Sequence, residues 1–116
     1  GYKVQGREEK TKEKLVSLAK ELEDAGCFAV LCEMVPQSLA KTITSLLTIP
    51  TIGIGASSHC DGQVLVTQDL LGLNSGFTPK FVKQYSNLSE TIKTSITQFK
   101  ADVESDLFPA EEHAFD

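Results

Sequence analysis

The chain has 116 residues, 41% hydrophobic and 23% charged, which is one ordinary globular domain at most and neither a disordered nor a fibrous sequence. Eleven basic residues against sixteen acidic ones give a net charge of -5, with no basic stripe, so a duplex nucleic-acid binder is excluded. No apolar run approaches the roughly 18–20 residues that a membrane-spanning helix needs, so no membrane partner is expected. The first residue is Gly1 instead of Met, so a preceding segment is expected, and the opening residues do not read as a secretory signal.

Near the start, Lys10, Lys12 and Lys14 alternate with Glu8, Glu9 and Glu13, the solvated face of a helix. Leu15, Leu18, Ala19 and Leu22 give the i, i+3, i+4, i+7 pattern of an amphipathic helix over 8–25, and Gly26 stands where a helix-ending glycine belongs. The run from Cys27 to Cys32 is almost continuously apolar, as in a parallel strand covered on both faces, and it ends in Glu33-Met34-Val35-Pro36. Pro36 suits the first turn of a second helix, whose apolar face is Leu39, Ile43, Leu46 and Leu47. A second buried strand follows over 49–54, within Ile49 to Ala56. A polar loop, Ser57 to Gly62, leads to a third strand over 63–67. Gly72 to Tyr85 is irregular. Asn87 and Glu90 fit a helix N-cap and its third residue, and Leu88, Ile92, Ile96, Phe99 and Val103 carry a helix over 87–104. The tail from Phe108 to His113 reads as polar and irregular. Helices alternating with short apolar strands predict an α/β fold with parallel strands. Three such strands make a thin sheet, which favours part of a barrel over a complete doubly wound domain.

Glu33 is the residue that stands out chemically. It is a lone carboxylate at the C-terminal end of an apolar strand, flanked by Cys32 and Met34, and a bare buried carboxylate is normally paired, protonated or functional. In (β/α)8 enzymes the active site lies at that end of the strands. The competing reading is a solvated glutamate at a strand–helix turn. Gly53-Ile54-Gly55-Ala56 does not complete a dinucleotide-binding glycine pattern, because position 58 is Ser; close packing at a site mouth is the better reading. His59, Cys60 and Asp61 are adjacent and so are poorly disposed to share one metal ion. Glu111, Glu112 and His113 read as a charged tail. Asp69 is expected to cap a turn, and Lys80, Lys83 and Tyr85 are surface residues or contacts to an anionic ligand. Cys27, Cys32 and Cys60 have no CxxC spacing; the first two read as small buried hydrophobes, in a reduced, cytoplasmic setting.

Six segments then carry a resemblance: Gly1-Tyr-Lys-Val-Gln-Gly6, Cys32-Glu-Met-Val-Pro36, Ile49-Pro-Thr-Ile-Gly-Ile-Gly-Ala56, Cys60-Asp-Gly-Gln-Val-Leu-Val66, Pro79-Lys-Phe-Val-Lys83 and Glu111-Glu-His-Ala-Phe115. In this order and spacing they resemble the C-terminal portion of the 3-methyl-2-oxobutanoate (ketopantoate) hydroxymethyltransferase family, over nearly the whole chain. The resemblance implies that residues 1–116 are the C-terminal part of a single (β/α)8 TIM-barrel domain and supply strands six, seven and eight. It implies transfer of a hydroxymethyl group from 5,10-methylenetetrahydrofolate to α-ketoisovalerate, giving ketopantoate for pantothenate synthesis. It implies Mg2+ as a Lewis acid at the keto oxygen, a cytoplasmic enzyme and a homo-oligomer, a decamer in the family. The family's general base, at the end of strand six, corresponds to Glu33. Its metal-binding aspartates lie on the first four strands, so the resemblance assigns no metal ligand here, and the folate-binding residues stay unknown. Two other readings remain open: a non-catalytic fragment or self-associating module, and another enolate-forming barrel lyase acting on ketoacids.

Overall fold

A computed structural model describes residues 4–74 and 76–115; residues 1–3 of the opening motif, Ser75 and Asp116 lie outside the described residues. The elements are α1 (Glu9–Asp24), β1 (Val30–Glu33), α2 (Gln37–Leu46), β2 (Thr51–Ile54), β3 (Gly62–Gln63), α3 (Thr67–Leu70), α4 (Leu88–Glu104) and a 3-10 turn (Glu111–His113). The chain divides into two compact units. One runs to Val66 and includes Pro79–Val82; the other comprises Thr67–Thr78 and the residues from Lys83 onward.

The first unit is a parallel sheet in the order β1-β2-β3, with Val30 opposite Thr51, Glu33 opposite Ile54, and Gly53 opposite Gln63. All three strands are shorter than the apolar runs predict. Periodicity marks which residues avoid water; it does not mark which of them pair. Cys27 to Ala29 precede the first paired residue, and β3 is Gly62–Gln63, which keeps only Gln63 of the expected 63–67 and is extended by a bond from Val64 N–H to the Gly53 carbonyl at 2.9 Å.

One face of the sheet is closed by α1 and α2. Ala19, Val30, Cys32, Leu39, Ile43 and Leu47 form the buried core, with Leu15, Val16, Val35, Ile49, Ala56 and Cys60 packed around it. Each fully buried Leu or Ile stabilises by about 1.5–3 kcal/mol. The core stripe of α2 is Leu39, Ala40, Ile43 and Leu47. Leu46, expected on that stripe, lies in the last turn of α2 and is exposed. The opposite face of the sheet is open, where the apolar run predicts cover on both sides: Leu31 is 54% exposed, and Phe28, just before β1, is 88% exposed.

Local chemistry sets the ends of the helices. Gly26 takes φ 93°, its N–H donates to the Glu23 carbonyl, and Cys27 N–H donates to Leu22 O, the paired bonds that close a helix on a left-handed glycine. Pro36 precedes α2 as its N-cap instead of entering the first turn. The end of α1 is fastened to the start of β2 by a carboxylate. Glu23 Oε1 accepts from Thr48 N–H at 2.6 Å, Thr48 Oγ1 at 2.7 Å and Ile49 N–H at 3.1 Å, while Lys20 Nζ donates to Oε2 at 2.6 Å. These contacts, Lys20 foremost and then the Thr48 hydroxyl and amide, hold the Glu23 carboxyl down to about 2.

In the second unit, Asn87 caps α4 by accepting from Glu90 N–H at 3.4 Å. The apolar stripe of α4 is uncovered; Ile96 is 62% exposed. The tail is ordered, where its composition suggests an irregular segment. Phe108 packs edge-on against Phe99 with centroids 5.5 Å apart, and the His113 ring lies 5.2 Å from Phe108. His113 Nδ1 accepts from Ala110 N–H at 3.1 Å.

Two outcomes follow from these observations. Glu23→Ala leaves the Thr48 and Ile49 amides without their acceptor, and is expected to lower the melting temperature at pH 7. A carboxyl whose folded pKa is depressed contributes stability above its unfolded pKa, near 4.5, and loses it as pH falls through about 2. The gap between wild type and variant should therefore shrink across that window in thermal melts recorded against pH. The open sheet face and the bare stripe of α4 should make the isolated chain self-associate or bind a hydrophobic dye. Analytical ultracentrifugation and a thermal melt check this; a monodisperse monomer with a sharp two-state transition would be the opposite result.

Candidate active site

Side chains alternate along β1. Val30 and Cys32 point into the helix-covered core, and Leu31 and Glu33 point to the open face. In the aligned register, Ile52 and Ile54 of β2 stand on the same face as Leu31 and Glu33, and both are half-buried. Glu33 is thus the last residue of β1, beside an apolar strip of Leu31, Ile52 and Ile54. The sequence suggests a buried carboxylate. Glu33 is exposed, and neither helix of the first unit covers that face. Among the described residues no cation or hydrogen-bond donor pairs with its carboxylate.

The chain turns sharply just beyond Glu33. Met34 takes φ 55°, in the left-handed region that non-glycine residues seldom enter. Its carbonyl accepts from Gln5 N–H at 2.8 Å, which ties the N-terminal segment to this strand end. β2 ends the same way, with Gly55 at φ 59° directly after Ile54. The glycines of Gly53-Ile-Gly-Ala56 serve close approach, as the sequence reading prefers. A Cβ on Gly53 would meet the Gln63 amide at 2.7–2.8 Å, and one on Gly55 would meet Phe81 Cβ at 2.6 Å and its carbonyl at 2.7 Å.

The other candidates separate. Asp61 Oδ2 accepts from Thr51 N–H at 2.8 Å and from Thr51 Oγ1 at 3.2 Å, and Thr51 Oγ1 lies 2.7 Å from Thr44 Oγ1. That network sits at the start of β2, so Asp61 has a structural partner. His59 is exposed and Cys60 packs against the core, so these three neighbours do not converge. Cys27, Cys32 and Cys60 are free thiols. Burial pushes the Cys32 thiol up to about 11, and the Cys60 thiol beside it adds to the rise, so Cys32 is a poor nucleophile. Asp69 lies within α3 and its carboxylate accepts from Asn74 Nδ2 at 2.6 Å. Lys83 Nζ sits 4.9 Å above the Tyr85 ring, a surface cation–π contact, and Lys80 is exposed. A cleft of about 500 Å³ between α1 and α2, lined by Glu9, Lys12, Val16, Leu39 and Thr42 among others, is on the helix side of the sheet. Among the described residues no three His, Cys, Asp or Glu side chains cluster as metal ligands.

Sequence reasoning missed the left-handed turn at Met34 and the anchoring role of Glu23. The first has no signal in residue type, since Met does not favour that conformation. The second has one: Glu23 falls four residues after Ala19, on the buried stripe of α1.

The ketopantoate hydroxymethyltransferase family model matches residues 1–111. The chain is 53% identical over 115 residues to the 3-methyl-2-oxobutanoate hydroxymethyltransferase of Bdellovibrio bacteriovorus, covering 99% of this chain and 44% of that protein. It is 54% identical to the enzyme of that name from Thermotoga neapolitana, covering 99% and 43%, and 50% identical to that of Clostridium botulinum strain 657, covering 99% and 42%. The chain thus spans less than half the length of the curated relatives it matches. A match over 111 of 116 residues means that the chain belongs to the ketopantoate hydroxymethyltransferase family.

Proposed function

We propose that these residues form the C-terminal part of a (β/α)8 barrel that transfers a hydroxymethyl group from 5,10-methylenetetrahydrofolate to α-ketoisovalerate, yielding ketopantoate for pantothenate and coenzyme A synthesis. Glu33 is its general base. The observation that carries the reading is the position of Glu33: last in β1, on the uncovered face, beside Leu31, Ile52 and Ile54. Barrel enzymes hold their catalytic groups at that end of their strands. A half-buried aliphatic strip next to one carboxylate suits a substrate with a branched apolar end and an acidic C–H.

In this reading the Glu33 carboxylate takes the proton from C3 of the ketoacid. The C–H electron pair passes into the enolate, and C3 then attacks the one-carbon unit, whose carbon–nitrogen bonds break to release tetrahydrofolate while water supplies the hydroxyl oxygen. The family requires a one-carbon donor. Mg2+ does not fit the residues at hand, because among the described residues no three potential ligands cluster. Its ligands are assigned to the part of the barrel outside this segment, and no step is derived through it. No helix of the described residues is long and apolar enough to cross a membrane. A cytoplasmic homo-oligomer completes the reading, and the open sheet face and the bare stripe of α4 supply surfaces for other parts of the barrel or other copies.

Within a protein of full family length carrying these residues, Glu33→Gln is expected to keep the fold and ketoacid binding and to slow turnover by about 10²–10⁴-fold. Deuterium exchange at C3 of α-ketoisovalerate is the readout, and unchanged exchange would remove Glu33 from the role. The 116 residues by themselves are expected to bind Mg2+ no more tightly than about millimolar, since the ion wants near-octahedral oxygen ligation. Isothermal titration revealing a micromolar site would overturn that.

A further inference from the structure

We propose that Met34 is a positioning residue, whose left-handed backbone, clamped by Gln5, ends β1 at Glu33 and fixes the direction of the Glu33 carboxylate. The inference rests on the reading of Glu33 as the base.

Two adjacent parallel strands end in the same way. Glu33 and Ile54 are register partners, and the residue after each is left-handed: Met34 at φ 55° and Gly55 at φ 59°. At position 55 glycine is required twice over, by its φ and by Phe81, whose Cβ and carbonyl leave no room for a side chain. At position 34 a full side chain is present, so the same conformation is held against the preference of the residue. Glycine visits positive and negative φ about equally, whereas a residue with a Cβ has one narrow left-handed well. Once held there, Met34 gives the strand end less freedom than glycine would.

The clamp is visible. Gln5 N–H donates to the Met34 carbonyl at 2.8 Å. The next residue, Gly6, is buried with φ 78°, seated so tightly that a Cβ would run into Leu39 Cδ2 and lie 3.2 Å from Leu15 Cδ1. Leu39 belongs to the core, and Pro36, also next to Gly6, is the N-cap of α2. The segment holding the Met34 carbonyl is therefore fixed to the scaffold. Were Met34 extended, the strand would run on towards Val35, and Glu33 would become an interior strand residue instead of its terminus. Small misplacements of a reacting group are costly in rate, about 10²-fold for an ångström.

The test uses a protein of full family length carrying these residues. It measures kcat, KM, C3 deuterium exchange and melting temperature for Met34→Val, Met34→Asn, Gln5→Pro and Glu33→Gln. Valine is β-branched and resists positive φ, whereas asparagine tolerates it. Met34→Val is expected to lower kcat and exchange by about 10–10²-fold with KM within about threefold, and Met34→Asn to recover most of that loss. If Met34→Val does not fold, Gln5→Pro decides: it deletes the clamping N–H and should lower kcat in the same direction. Wild-type kcat in Met34→Val and Gln5→Pro, a loss confined to KM, or Met34→Asn as slow as Met34→Val would overturn the proposal. Wild-type exchange in Glu33→Gln would instead overturn the base assignment on which it rests. Slow Glu33→Gln with normal Met34→Val would sink the positioning role alone.

Discussion

The parallel pairing of Val30–Glu33 with Thr51–Ile54 decides the rest of the first unit. In-register pairing makes the side-chain alternation of the two strands coincide, so each face is uniform across both. Val30, Cys32, Thr51 and Gly53 meet the helices, and Leu31, Glu33, Ile52 and Ile54 meet the open side. A slip of one residue would drive Glu33 into the packing of Leu39 and Ile43, where an unpaired carboxylate is costly, and would turn Cys32 outward. The apolar demand of the core therefore places Glu33 on the other face.

At the start of β2 the pairing is fastened by carboxylates. Amides just before β2, at Thr48 and Ile49, have no strand partner yet, and Glu23 accepts from both. The Thr51 amide donates to Asp61, where the chain returns from the loop to begin β3. The strands are only a few residues long, so that return is short enough to link parallel neighbours without a helix. Both anchoring carboxylates sit at the starts of strands and have their acceptor capacity used by backbone amides. Glu33 sits at the opposite end with no such donor among the described residues. Three carboxylates near one small sheet thus divide into two that hold backbone and one that is available.

Local signals were the legible part of the sequence. The helix at 9–24 and its closing Gly26, and the helix at 88–104 with its Asn87 cap, come from short-range chemistry that the residues themselves carry. The position of Glu33 at a strand end was equally legible, since an apolar run stops there. Strand lengths were not, because pairing depends on a partner some twenty positions away, and Cys27 to Ala29 are as apolar as the residues that pair. The exposure of Glu33 was also hidden, because an apolar strand reads the same whether or not its second face is covered. In the tail, charged residues masked the aromatic stack of Phe99, Phe108 and His113, which spans fourteen positions on two separate elements.

Two reactive side chains stand side by side at the end of β1, and alternation separates them. Cys32 is the other reactive group there, one residue before Glu33. Alternation turns it into the core, where burial and the neighbouring Cys60 thiol raise its pKa to about 11, so almost no thiolate forms near neutral pH. Glu33 faces the opposite way, and the turn at Met34 follows at once, so β1 offers no further residue on that face. β2 contributes only aliphatic Ile52 and Ile54 beside it. A base in an aliphatic strip can accept a proton from carbon without a nearby cation competing for its lone pairs. The same residue succession that buries a thiol and ends a strand therefore leaves one carboxylate where the proposed ketoacid would bring its C–H.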